Sequence, residues 1–70
     1  MTVLDRTRTW QFNIRIDGKV RGHLVQRGQR WHLRRADLEN TPGYDGIDVT
    51  AVLEHPQAIA ALLRDYLRSA

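Results

Sequence analysis

Seventy residues with eleven Lys and Arg, eight Asp and Glu, a net charge of +3 and 41% apolar residues make one small domain, with no room for a second core. The chain has no cysteine, which excludes a disulfide staple, and no Cys/His grouping has zinc spacing, so stability must come from packing, a self-partner or a ligand. No stretch approaches the roughly 18 apolar residues of a membrane span, and Met1-Thr2-Val3-Leu4-Asp5 lacks the layout of a signal peptide, so a cytoplasmic protein without a membrane partner is expected.

Residues 1–9 show no apolar period. Arg6, Thr7, Arg8 and Thr9 read as a flexible basic arm or a frayed terminus. From Trp10, the apolar residues Trp10, Phe12, Ile14 and Ile16 alternate with Gln11, Asn13, Arg15 and Asp17, the period of a half-buried strand. A second strand over about Lys19 to Arg27 puts Val20, Gly22 and Leu24 on one face and Arg21, His23, Val25 and Arg27 on the other. The third, about Arg30 to Arg35, divides Trp31 and Leu33 from Arg30, His32 and Arg34.

Turn parity must reconcile these faces, because a slip of one residue moves every side chain to the opposite side. A three-residue loop, Ile16-Asp17-Gly18, pairs Ile14 with Val20 and Phe12 with Gly22. Gly28-Gln29 suits a two-residue turn with glycine first, and pairs Leu24 with Leu33, Gln26 with Trp31, Val25 with His32, His23 with Arg34 and Arg27 with Arg30. Residues 37–48 then form a long acidic loop punctuated by Pro42-Gly43 and Asp45-Gly46. Ile47 to Leu53 admits two readings, a fourth short strand or a short helix capped by Asp48, and the helix is preferred. Pro56 opens the main helix, whose stripe of Ile59, Leu62, Leu63, Tyr66 and Leu67 should cover the sheet face bearing Trp10, Phe12, Ile14, Leu24, Trp31 and Leu33. The expected fold is α+β: a three-stranded antiparallel β-meander, with the fourth short strand as an option, packed on one C-terminal α-helix.

Charge is segregated along this plan. Residues 1–36 carry nine basic and two acidic side chains, a net of +7, whereas 37–70 carry two basic and six acidic, a net of −4. Ten of the eleven cations are arginine, whose planar fork suits phosphate and carboxylate. GC-rich coding accounts for part of that preference but not for the clustering. The face opposite the helix should hold Arg15, Arg21, His23, Arg27, Arg30, His32 and Arg34, and cations gathered on one face cost stability unless an anion uses them. Phosphate of DNA or RNA is the first expectation, for a small regulator of the kind carried by phages or mobile elements. An inhibitor or adaptor that uses the acidic loop, or sets the basic face against an acidic protein, is the alternative.

Other constellations are weaker. Trp10 and Trp31 fall on the helix-facing side, so both are expected in the core and stacking on single strands is disfavoured. Tyr44 is the better candidate for exposure, but it lies in the acidic loop away from the basic sheet, where a loop aromatic more commonly packs locally. His23 and His32 lack a third ligand, so neither metal nor cofactor is expected. His23 opposite Arg34 is the one arrangement that could serve a ribonuclease-like acid/base step, and Ser69, the only serine, has no base beside it, so no enzyme is expected. Ala58, Ala60 and Ala61 form a small patch on the helix that offers a homodimer contact, as does an edge strand.

Three antiparallel strands backed by one helix, over roughly Thr9 to Arg35 and His55 to Leu67, resemble the arm-type DNA-binding domains of phage integrases and the plant AP2 domain. That resemblance implies a sheet that enters the major groove, although the loop of about twenty residues between sheet and helix departs from both. Separately, Ile16-Asp17-Gly18-Lys19-Val20-Arg21-Gly22 is similar to a hairpin in the tRNA-binding C-terminal domain of leucyl-tRNA synthetases. Neither likeness rests on a specific motif, and no family is assigned.

Overall fold

A computed structural model describes residues 1–69. Five strands follow one another in an antiparallel sheet whose spatial order is the chain order: β1 (Thr2–Arg8), β2 (Gln11–Ile16), β3 (Lys19–Arg27), β4 (Arg30–Arg35) and β5 (Ile47–Asp48). Helix α1 (Pro56–Arg68) lies on one face, and single 3₁₀ turns occupy Ala36–Leu38 and Thr50–Val52. The α+β class, the antiparallel meander and the C-terminal helix are as expected, with a strand added at each edge.

The segment expected to be a basic arm or frayed terminus is the edge strand β1, paired with β2 through Leu4↔Ile14 and Arg6↔Phe12. Its inward positions Thr2, Leu4 and Arg6 include only one apolar residue, too few to print an alternation. Between Ile47 and Leu53 both readings hold in part. Ile47 and Asp48 pair with Leu33 and His32, after which the preferred helix shrinks to the 3₁₀ turn. Asp48 Oδ1 accepts the Thr50 backbone N–H (3.0 Å) and its hydroxyl (2.7 Å), so the carboxylate closes a local turn without starting a full helix.

The β2–β3 turn also differs from expectation. Asp17-Gly18 forms a two-residue turn with φ of +53° and +82°, and Ile16 faces Lys19. Parity is restored one step later, where Arg21 is the extra residue of a bulge between Arg15↔Val20 and Ile14↔Gly22. Val20 therefore shares the outer face with Arg15, and Phe12 faces Leu24 instead of Gly22. At Gly28-Gln29, with Gly28 at φ +64°, the five expected β3–β4 pairs all form.

Ile14, Leu24, Trp31, Leu33, Val49, Ile59 and Leu63 make the buried core, each contributing on the order of 1.5–3 kcal/mol before entropy. Phe12 tilts against Trp31 with ring centroids 5.8 Å apart. Gly22 lets the helix lie close, because a Cβ there would sit 2.9 Å from Leu63 Cδ1 and 3.0 Å from the Arg34 carbonyl oxygen. Trp10 does not join this core. It sits with Thr9 in the β1–β2 turn, outside the alternation, and is 45% exposed. The alanine patch is divided as well. Ala60 is buried towards Thr2 and Leu4, which β1 brings beneath the helix, and only Ala61 stays exposed. No helix among the described residues is long and apolar enough to cross a membrane.

Candidate nucleic-acid interface

The pleat of β2, β3 and β4 places Arg15, His23, Arg27, Arg30, His32 and Arg34 on the face opposite α1. Arg21, as the bulged residue, has no partner across the ladder and lines a separate depression with Lys19, Val20, Ala36 and Asp37. The outer face is not bare, because the acidic loop turns back across it. Arg27 Nη1 donates to Asp45 Oδ1 at 3.0 Å and Arg30 Nη1 to Asp48 Oδ2 at 2.8 Å. At the other end of the sheet, Arg15 pairs with Asp5 of β1.

Arg34 is built into the fold. Its Nη2 donates to the carbonyl oxygens of Glu39 (3.3 Å) and Tyr44 (3.2 Å), and its guanidinium lies 5.2 Å from the Tyr44 ring centroid. Among the described residues, Arg34 Nε and His32 Nδ1 are buried and find no hydrogen-bond partner. His23 is mostly covered. Its Nδ1 lies 2.9 Å from Asn13 Oδ1 and its Nε2 3.6 Å from Glu39 Oε2, an ion pair only when the imidazole is protonated.

One groove of about 420 Å³ gathers several of these groups, with His23, Val25, Arg27, Arg34 and Glu39 joined by Trp10, Gln11 and Gln26. The sequence reading missed Trp10 here because it counted a turn residue as part of a strand. The signal lay in Arg8-Thr9-Trp10-Gln11, which makes a hairpin only if Thr9 and Trp10 leave the ladder. Trp10 is tied in place by its carbonyl oxygen, which accepts the Gln26 N–H at 2.9 Å, and the Arg8 guanidinium lies 5.6 Å from its ring centroid. The groove thus combines a planar aromatic surface, cations and amides. Arg15, Arg21, Arg30 and His32 lie outside it.

Beneath the loop is a second cluster. Arg35, 6% exposed, holds Asp37 through two hydrogen bonds (Nε to Oδ1, 2.9 Å; Nη2 to Oδ2, 2.6 Å) and donates from Nη1 to the Tyr66 carbonyl oxygen at 3.2 Å. The Arg35 backbone N–H donates to the Tyr44 hydroxyl (2.6 Å), which also accepts from the Tyr66 hydroxyl (2.8 Å). Tyr44, the candidate for exposure, instead packs locally and pins the loop to β4 and α1. Burial, with the Tyr44 hydrogen bond second, pushes the Tyr66 phenol up to about 12. The Arg35 hydrogen bonds hold the Asp37 carboxyl below its usual range. The Thr50 backbone N–H, followed by the Thr50 hydroxyl, lowers Asp48 to about 2.

Among the described residues, no group of three or more His, Cys, Asp or Glu side chains is placed to hold a metal ion. No family model, curated protein or solved structure matches the chain.

Proposed function

We propose that the protein is a small non-enzymatic nucleic-acid-binding module that meets its ligand with the outer face of the sheet, opposite α1. The observation that carries this reading is the groove in which exposed Trp10 stands beside Arg27, Gln11 and Gln26. Aromatic surface next to arginine is the chemistry of nucleic-acid recognition, stacking supplying contact area and guanidinium meeting phosphate. The ion pairs that cover Arg27 and Arg30 do not oppose it. Both arginines remain more than half exposed, and exposed pairs of this kind are weak enough to exchange a carboxylate for a phosphate.

A second reading, an adaptor for an acidic protein, draws support from the same pairs, because carboxylates of the chain's own loop already sit against Arg27 and Arg30. Fluorescence anisotropy against labelled duplex DNA, single-stranded DNA and structured RNA at low salt separates the two. Nucleic-acid binding that weakens ~100-fold between 50 and 200 mM salt, as about four phosphate contacts require, with a further loss in Arg27→Gln, is the expected outcome. Binding to none of the three removes the proposal and favours the adaptor.

A further inference from the structure

The preferred form of nucleic acid follows from Trp10. Resting on the nucleic-acid reading above, we infer that the groove takes one unpaired nucleotide of a single strand, its base against the Trp10 indole and its phosphate at Arg27. In a duplex the base faces are already stacked on one another and closed to a side chain, whereas an unpaired base can turn out onto an aromatic ring. The groove volume of about 420 Å³ lies in the range of a small-molecule site. Trp10 is 45% exposed although its backbone is fixed to β3, so the ring is presented by a held turn, at small ordering cost on binding.

The rest of the lining divides the groove by charge. Glu39 at one side disfavours phosphate, while Arg27, among the described residues, pairs only with the exposed Asp45 and can change partner. The Arg8 guanidinium lies over the indole but does not line the groove. The amide of Gln11 is loosely held, with contacts of 3.5 Å to Asn13 Oδ1 and to His23 Nδ1, and the Gln26 amide donates to the Gly28 carbonyl oxygen at 3.1 Å. Both can turn a donor or an acceptor towards a base edge.

The two tryptophans make the test specific, since Trp31 is 9% exposed and unavailable for stacking. The full chain is titrated with oligo(U), oligo(dT) and a DNA duplex of equal charge at one salt concentration, following anisotropy and tryptophan emission. Single strands should bind at least tenfold tighter than the duplex and quench the emission. Tighter binding of oligo(U) assigns RNA, and of oligo(dT) assigns DNA. Trp10→Ala should lose about tenfold or more of single-strand affinity and most of the quench, a larger loss than it causes for the duplex, and Trp10→Phe should retain most of the affinity. Circular dichroism and the remaining Trp31 emission verify that each variant is folded. Equal affinity for single strands and duplex, or a Trp10→Ala variant as tight as the parent, overturns the inference while leaving the nucleic-acid reading in place. Absence of binding to any of the three overturns both.

Discussion

Trp10 and Trp31 have the same side chain and opposite surroundings, one 45% and the other 9% exposed. Trp31 fills the core beside Phe12, so Trp31→Ala should cost about 3–5 kcal/mol in denaturant unfolding. Trp10→Ala leaves no cavity and should stay within about 0.5 kcal/mol. The alternation that correctly assigned Phe12, Ile14 and Ile16 to the helix side carried no mark for where the strand begins, which is why Trp10 was misplaced with them. Glycines make a second contrast of this kind. Gly43 and Gly46 both have positive φ, +76° and +83°, but only Gly46 lies against β4, where a Cβ would run into the Leu33 carbonyl oxygen. Gly43→Ala should therefore cost about 1 kcal/mol, for the left-handed backbone alone. Gly46→Ala should cost at least about 2 kcal/mol and loosen β5, seen as faster amide exchange at Val49, whose N–H donates to the Trp31 carbonyl oxygen.

At the scale of elements, the loop and the helix are coupled through Tyr44, Tyr66 and Arg35, and this coupling sets the response to pH. Tyr66 has its folded pKa raised to about 12, so its contribution is present below about pH 10 and declines as pH rises from there towards 12. Tyr66→Phe should remove that alkaline decline in unfolding measured against pH. Asp48 titrates near 2 in the folded chain, so its contribution is present above about pH 4 and is lost as pH falls towards 2, a loss that Asp48→Asn should flatten. On the proposed reading, the loop carboxylates compete with the nucleic acid for Arg27 and Arg30. Glu39→Gln combined with Asp45→Asn should raise nucleic-acid affinity and steepen the salt dependence by up to about one unit of slope for the freed Arg27. An unchanged slope would mean that Arg27 touches no phosphate. β2, β3, β4 and α1 were legible in the sequence because pleat, turn and helical stripe are local patterns. β1 was not, since its inward residues are mixed, and the docking of the loop was not, since pairs such as Arg27 with Asp45 join positions eighteen residues apart and leave no periodic trace.

For the whole molecule, the folding topology changes what the charge split means. In sequence the +7 and −4 segments are separate, but the acidic loop lies against the basic face, so the outer surface is a mosaic of exchangeable pairs and not a continuous cationic field. A mosaic of this kind gives weaker long-range steering than the sequence split suggests, and on the proposed reading it leaves more of the selectivity to short-range contacts such as Trp10. The seven side chains singled out from the sequence also separate. His23, Arg27 and Arg34 share the groove, whereas Arg15, Arg21, Arg30 and His32 do not line it. The side of the molecule covered by α1 holds a further groove of about 350 Å³, lined by Leu4, Phe12, Trp31 and Ile59, which is apolar and has no role in the proposed binding. The two faces therefore make opposite predictions for one experiment. Backbone amide shifts of the labelled chain, mapped during titration with a short single strand, should move at Trp10, Gln11, His23 and Arg27 and in the loop around Asp45, with α1 unaffected. Shifts centred instead on Leu4, Phe12 and α1, or no shifts at all, would contradict the assignment of nucleic-acid binding to the outer face.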